Sequence, residues 1–111
     1  MVDRAIAAAK VASIRDAVAR IRQVLPPDAA AFAADRSSRE IVALNLLTCI
    51  QDAVDLAAHW VSDAGLAIPG SHRELFLKLA ERAVITDELA QRLARASGMR
   101  NLIAHQYGTV D

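Results

Sequence analysis

Cysteine is almost absent: Cys49 stands alone among 111 residues, which excludes an internal disulfide framework. Its place inside an apolar run reads as a core thiol. Aromatics are scarce too, at 4% of the sequence, with four glycines and three prolines, so a strand-rich, turn-rich fold is disfavoured. Hydrophobic content nevertheless reaches 54%. Ala, Leu, Val and Ile supply most of it, which is the composition of an all-α protein. Net charge is zero, with thirteen Lys and Arg against thirteen Asp and Glu. No global field draws in a polyanion, and any RNA-binding surface has to arise from local clustering or assembly. Asp3, Arg4 and Lys10 interrupt the apolar residues of the N-terminus, leaving neither the hydrophobic region of a signal peptide nor a spanning helix there. A soluble cytoplasmic chain with no membrane partner is expected. The length suits one domain over residues 1–111, as domains usually run to roughly 100–150 residues.

What is present is helical periodicity. Ala7, Val11, Ile14, Val18, Ile21 and Leu25 recur at spacings of four and three, the seam of an amphipathic helix that Pro26 and Pro27 end. A short Ala-rich helix is expected from Asp28 to Asp35. Ser37 and Glu40 have the spacing of a capping box and predict the start of a long second main helix that runs to Gly65. Asn45, Thr48, Asp52, Asp55, His59 and Ser62 fall on one polar stripe of it. Ser71 with Glu74 repeats the capping-box spacing and opens a third main helix, and Thr86 is an N-cap candidate for a fourth. Four main helices with short joins predict an antiparallel bundle.

The fourth main helix carries the chemistry. From Glu88 to Asp111 there is no acidic residue between, while Arg92, Arg95, Arg100 and His105 lie there. A phosphate-bearing partner fits that local charge; cations suited to the helix dipole are the plain alternative. Leu89, Leu93, Ala96, Arg100, Ile103 and Tyr107 share a stripe, and an arginine on an apolar stripe needs a buried partner or an interface. His59 and His72 lack the paired spacing of a ligand set, so no metal and no cofactor are expected.

The segment Met99 to Tyr107, M-R-N-L-I-A-H-Q-Y, resembles the Arg, four residues, His, one residue, Tyr motif of HepT-like toxins of the HEPN superfamily. Asp55, Leu56 and His59 are similar to the family's Asp-Leu-x-x-His pattern, and Gly65, Ser71, Phe76, Leu79 and Leu89 keep its loop and helix spacing. The resemblance covers most of residues 38–111. Family members usually continue into another C-terminal helix, so either further sequence or another chain is expected to complete the bundle.

The resemblance implies metal-independent RNA cleavage at a site shared by two protomers, with catalytic Arg100, His105 and Asn101. It also implies a cognate minimal nucleotidyltransferase antitoxin that transfers AMP to Tyr107. Residue chemistry supports the first part independently. Attack by the RNA's own 2′-hydroxyl needs a base, an acid and a cation for the phosphate. A histidine fills either proton role but not both at once, so a homodimer with two copies of His105 completes the set. Arg100 would clamp the phosphate and Asn101 position it. Asp55 or Asp52 could orient Arg100 or His105, although a solvated helix face is the competing reading. Residues five apart on a straight helix point about 140° apart, so Arg100 and His105 of one chain do not converge unless the helix loosens near Gly98. The rival functions are a non-catalytic HEPN module that binds nucleotide or scaffolds a nucleotidyltransferase, and a purely structural bundle.

Overall fold

The computed structural model describes residues 3–107, and the Tyr107 side chain lies outside that description. Five helices follow one another: α1 (Arg4–Val24), α2 (Ala29–Ala34), α3 (Arg36–Asp63), α4 (His72–Glu81) and α5 (Asp87–Tyr107). Among the described residues there is no strand. The all-α bundle of four main helices expected from the sequence is what the chain adopts, with α2 as a short fifth. The central helix α3 touches the other four. An 18-residue stretch of it has a mean hydropathy of 1.5 and would suit a membrane span by length and composition, but Val42, Ala43, Ile50, Val54, Ala57 and Val61 are buried inside the bundle. Val54, Ala57 and Val61 of α3 pack with Leu75, Phe76 and Leu79 of α4 and Ala90 of α5.

Local chemistry sets the boundaries. Asp3 caps α1 by accepting from the amides of Ala5 and Ile6, and α1 stops one residue before Leu25 and Pro26. The predicted seam is turned slightly: Lys10, Ile14, Ala17, Ile21 and Val24 face inward, whereas Val11 and Leu25 are exposed. Ala17 permits close approach to α3, and Lys10 turns inward because its ammonium meets carboxylates there.

The α3 cap differs from expectation as well. Asp35, not Ser37, is the N-cap; its carboxylate accepts from the Ser37 amide at 3.1 Å and the Ser38 hydroxyl at 2.7 Å. Only Asp35 separates α2 from α3, so it is the residue free to leave helical geometry. Glu40 pairs instead with Arg36. Gly65 ends α3 at φ +75°, with Leu66 N–H donating to Val61 O and Gly65 N–H to Ser62 O, a Schellman pattern. Ser71 and Thr86 cap α4 and α5 as expected, accepting from the amides of Glu74 and Leu89.

Candidate active site

Arg100 is brought by α5 against the polar stripe of α3. Its Nη2 donates to Gln51 Oε1 at 3.2 Å and its Nη1 to Asn101 Oδ1 at 3.4 Å. Gln51 Nε2 donates in turn to Asp55 Oδ1 at 3.0 Å, and Lys10 of α1 donates to Asp55 Oδ2 at 2.9 Å. A relay thus runs from α1 through α3 to α5. Lys10 also approaches buried Asp52 at 3.5 Å. Hydrogen bonding from Lys10 holds the Asp55 carboxyl below its usual range against the opposing effect of burial, and Asp55 raises the Lys10 ammonium.

A cleft of about 350 Å³ lies here, lined by Leu47, Thr48, Gln51, Asp52, Arg100 and Ala104. Two of its atoms, Asp52 Oδ2 and Arg100 Nε, are buried without a hydrogen-bond partner among the described residues. Unmet polar groups at one cleft suit a site that receives a group from outside.

The remaining sequence-predicted residues are spread around α5. Asn101 is exposed beside Arg100, while His105 is exposed and does not line this cleft. Asp55 reaches Arg100 only through Gln51, and neither carboxylate bonds to His105 among the described residues. Arg92 is answered by Glu88 at 2.8 Å on the exposed face, which lessens the positive charge expected of this helix. The Tyr107 side chain, the expected AMP acceptor, lies outside the described residues. Among those described, no three His, Cys, Asp or Glu gather within metal-binding range.

Gln51 and Lys10 were not singled out by sequence. Gln51 sits four residues before Asp55, one turn away on the same face, and that spacing was its available signal. Lys10 carried a subtler one, since it stands four residues before Ile14 and shares its face.

Residues 14–111 match the sequence model of the family described as Ribonuclease HepT-like. The mRNA nuclease HepT of Shewanella oneidensis is 36% identical over 98 residues, spanning 88% of this chain and 73% of that protein. A crystal structure of a toxin–antitoxin with AMP-PNP superposes with a TM-score of 0.86 at 32% identity, covering 97% of this chain and 81% of the other. The tri-AMPylated HEPN toxin of Shewanella oneidensis, in complex with MNT antitoxin, gives 0.84 at 35% identity and covers 92% and 76%.

Proposed function

The chain belongs to the Ribonuclease HepT-like family, and from that premise we propose that it is the toxin of a toxin–antitoxin pair, an endoribonuclease whose metal-independent site is completed by two copies of the chain. The observation that carries this reading is how Arg100 is held. Gln51 and Asn101 hold its two Nη atoms, the side chain lines the cleft, and Nε has no hydrogen-bond partner among the described residues. A phosphate oxygen is the acceptor such a group lacks. His105 stands on a different side of α5, so a second copy is needed to bring a histidine to that arginine.

In the proposed reaction one His105 takes the proton of the 2′-hydroxyl and the 2′-oxygen attacks phosphorus. The bond to the 5′-oxygen breaks, and the second His105 protonates that oxygen. A 2′,3′-cyclic phosphate and a 5′-hydroxyl result. Arg100 offsets the charge gathering on the phosphoryl oxygens, and Asn101 keeps the phosphate in line. Control comes from a minimal nucleotidyltransferase antitoxin: the Tyr107 hydroxyl attacks the α-phosphorus of ATP, pyrophosphate leaves, and AMP remains on the tyrosine. The AMPylated relative bound to MNT antitoxin supports this step.

The test is RNA cleavage by the purified chain with and without EDTA, beside His105→Ala and Arg100→Ala. We expect cleavage to survive EDTA. Loss of a proton-transfer group should lower the rate about 10²–10⁴-fold, and loss of the phosphate cation by a comparable factor. Cleavage that stops with EDTA overturns the metal-free chemistry. RNA binding without cleavage favours the non-catalytic module that holds nucleotide or scaffolds the antitoxin.

A further inference from the structure

A second cleft, of about 400 Å³, opens between the start of α4 and the middle of α5, with Ser71, His72 and Arg73 on one wall and Ser97, Gly98 and Asn101 on the other. Among the described residues no carboxylate lines it. Ser71 occupies the Glu74 amide, whereas the amides of His72 and Arg73, the first two of α4, have no acceptor among the described residues. These amides stand at the positive end of the helix dipole, where anions are favoured. Arg73 forms no ion pair among the described residues, which leaves a cation at the rim.

The α5 wall carries a second, independent unmet polar group. Ser97 is only 4% exposed, and its hydroxyl is buried without a hydrogen-bond partner among the described residues. Hydroxyls inside helices commonly turn back to the carbonyl four residues earlier, as Thr48 does to Leu44 at 3.2 Å. Ser97 makes no such bond. Next to it, a side chain at Gly98 would meet nothing within 4 Å beyond its own stretch of helix among the described residues, so this wall stands open.

Asn101 belongs to both places: it lines this cleft and accepts from Arg100. Gly98, Asn101 and His105 follow one another at helical spacings of three and four, along one face. We propose that this cleft is a second phosphate subsite that takes a backbone phosphate of the RNA strand beside the one that is cut. The proposal rests on the reading of the chain as a ribonuclease. The α4 amides and Arg73 hold the anion, Ser97 donates once its hydroxyl turns toward the cleft, and Asn101 links the subsite to the phosphate on Arg100. The cleft contacts the sugar–phosphate strand, not base edges, and so favours strand position over sequence.

The experiment titrates inorganic phosphate, and separately a 2′-O-methyl oligoribonucleotide that lacks the attacking hydroxyl, into the full chain while amide resonances are followed. Both probes are expected to shift the amides of His72, Arg73 and Gly98. Arg73→Ala and Gly98→Asp should each weaken oligonucleotide binding about tenfold, the equivalent of about 1.4 kcal/mol. Arg73→Ala should also lower the slope of log affinity against log salt by about 0.7, the single-strand value for one phosphate contact. Unshifted amides, or affinity equal to the parent's in both variants, overturn the subsite. Shifts with inorganic phosphate alone make it a site for a free anion and overturn it as part of the RNA path. A parent that binds the strand through these amides yet cuts no RNA sinks the nuclease reading and keeps the subsite. A parent that cuts RNA with KM unmoved by Arg73→Ala sinks the subsite and keeps the nuclease.

Discussion

The two oxygens of Asp55 each receive a donor, Lys10 on one and Gln51 on the other, which ties the ionisation of this carboxyl to the placement of Arg100. Lys10 lowers the carboxyl below its ordinary 3.8, and a lowered carboxyl stabilises the fold above its unfolded value and loses that contribution as pH falls through the folded one. The ammonium is raised above its ordinary 10.5, so its contribution is complete below that value and disappears as pH rises through the folded one. Asp35, lowered first by the Ser38 hydroxyl, adds a second acid-labile carboxylate. Urea midpoints measured against pH should therefore fall for the parent at acid pH, and Asp55→Asn should remove part of that fall; parallel curves would count against the pair. Gln51→Ala is expected to fold and to lower kcat about tenfold or more by loosening Arg100, with less effect on KM, since small misplacements of a positioned group are costly. An unchanged kcat would separate Gln51 from the site. Tyr107→Phe should fold and inhibit growth but escape AMP transfer, which mass spectrometry after co-expression with the antitoxin reads directly; an unmodified Tyr107 in a silenced complex would point to occlusion instead. Arg100, Asn101, His105 and Tyr107 could be singled out because they stand in one short segment, and of these Arg100 and Asn101 are in contact. Lys10 and Gln51 find their partners 45 and 49 residues away, and no local pattern encodes that pairing.

At the scale of elements, the joints follow from single residues. The α2–α3 joint is one residue long, and Asp35 serves as C-cap of the first helix and N-cap of the second. Asp35→Ala should cost about 1 kcal/mol, while Ser37→Ala, within the first turn, should change stability by less than about 0.5 kcal/mol; urea denaturation distinguishes them, and equal losses would return the cap to Ser37. The end of α4 carries the opposite kind of residue. Ala83 sits at φ +60° where its amide bonds to Ala80 O and the next to Leu79 O, a Schellman pattern that normally places glycine there. Ala83→Gly is expected to raise stability by about 1 kcal/mol, because an L side chain is strained in that region. Pro26, Gly65, Ser71 and Thr86 marked the other boundaries correctly because their signals are local. The α3 start was misread because two cap candidates lie two residues apart, and only the shortness of the joint chooses between them. The turned seam of α1 has a tertiary cause as well: the carboxylates of α3 draw Lys10 inward.

At the scale of the whole molecule, a single copy leaves large apolar side chains uncovered beside the proposed site. Leu102 is 73% exposed and Met99 48% on α5, and Leu44 is 64% exposed on α3. Leu102 is adjacent to Asn101 and three residues before His105, so a partner that covers it necessarily comes close to the histidine. The sequence of one chain argues for a second histidine but marks no surface for the proposed partner copy, because exposed and buried apolar side chains are told apart only when the helices are packed. Burying a leucine is worth about 1.5–3 kcal/mol, and a two-fold interface counts each such contact twice. Leu102→Glu, which also requires a charge to be desolvated, should therefore weaken dimerisation by at least about a hundredfold. Light scattering is expected to give a dimer for the parent and a monomer for Leu102→Glu, with helix content retained and RNA cleavage lost. Leu89→Glu is the control: that side chain is 44% exposed near the start of α5, at the other end of the helix from Leu102, and should leave both dimer and cleavage intact. A parent that is monomeric at assay concentration and still cuts RNA would remove the need for a shared site, and His105 and Arg100 would then have to meet through a rearrangement of α5.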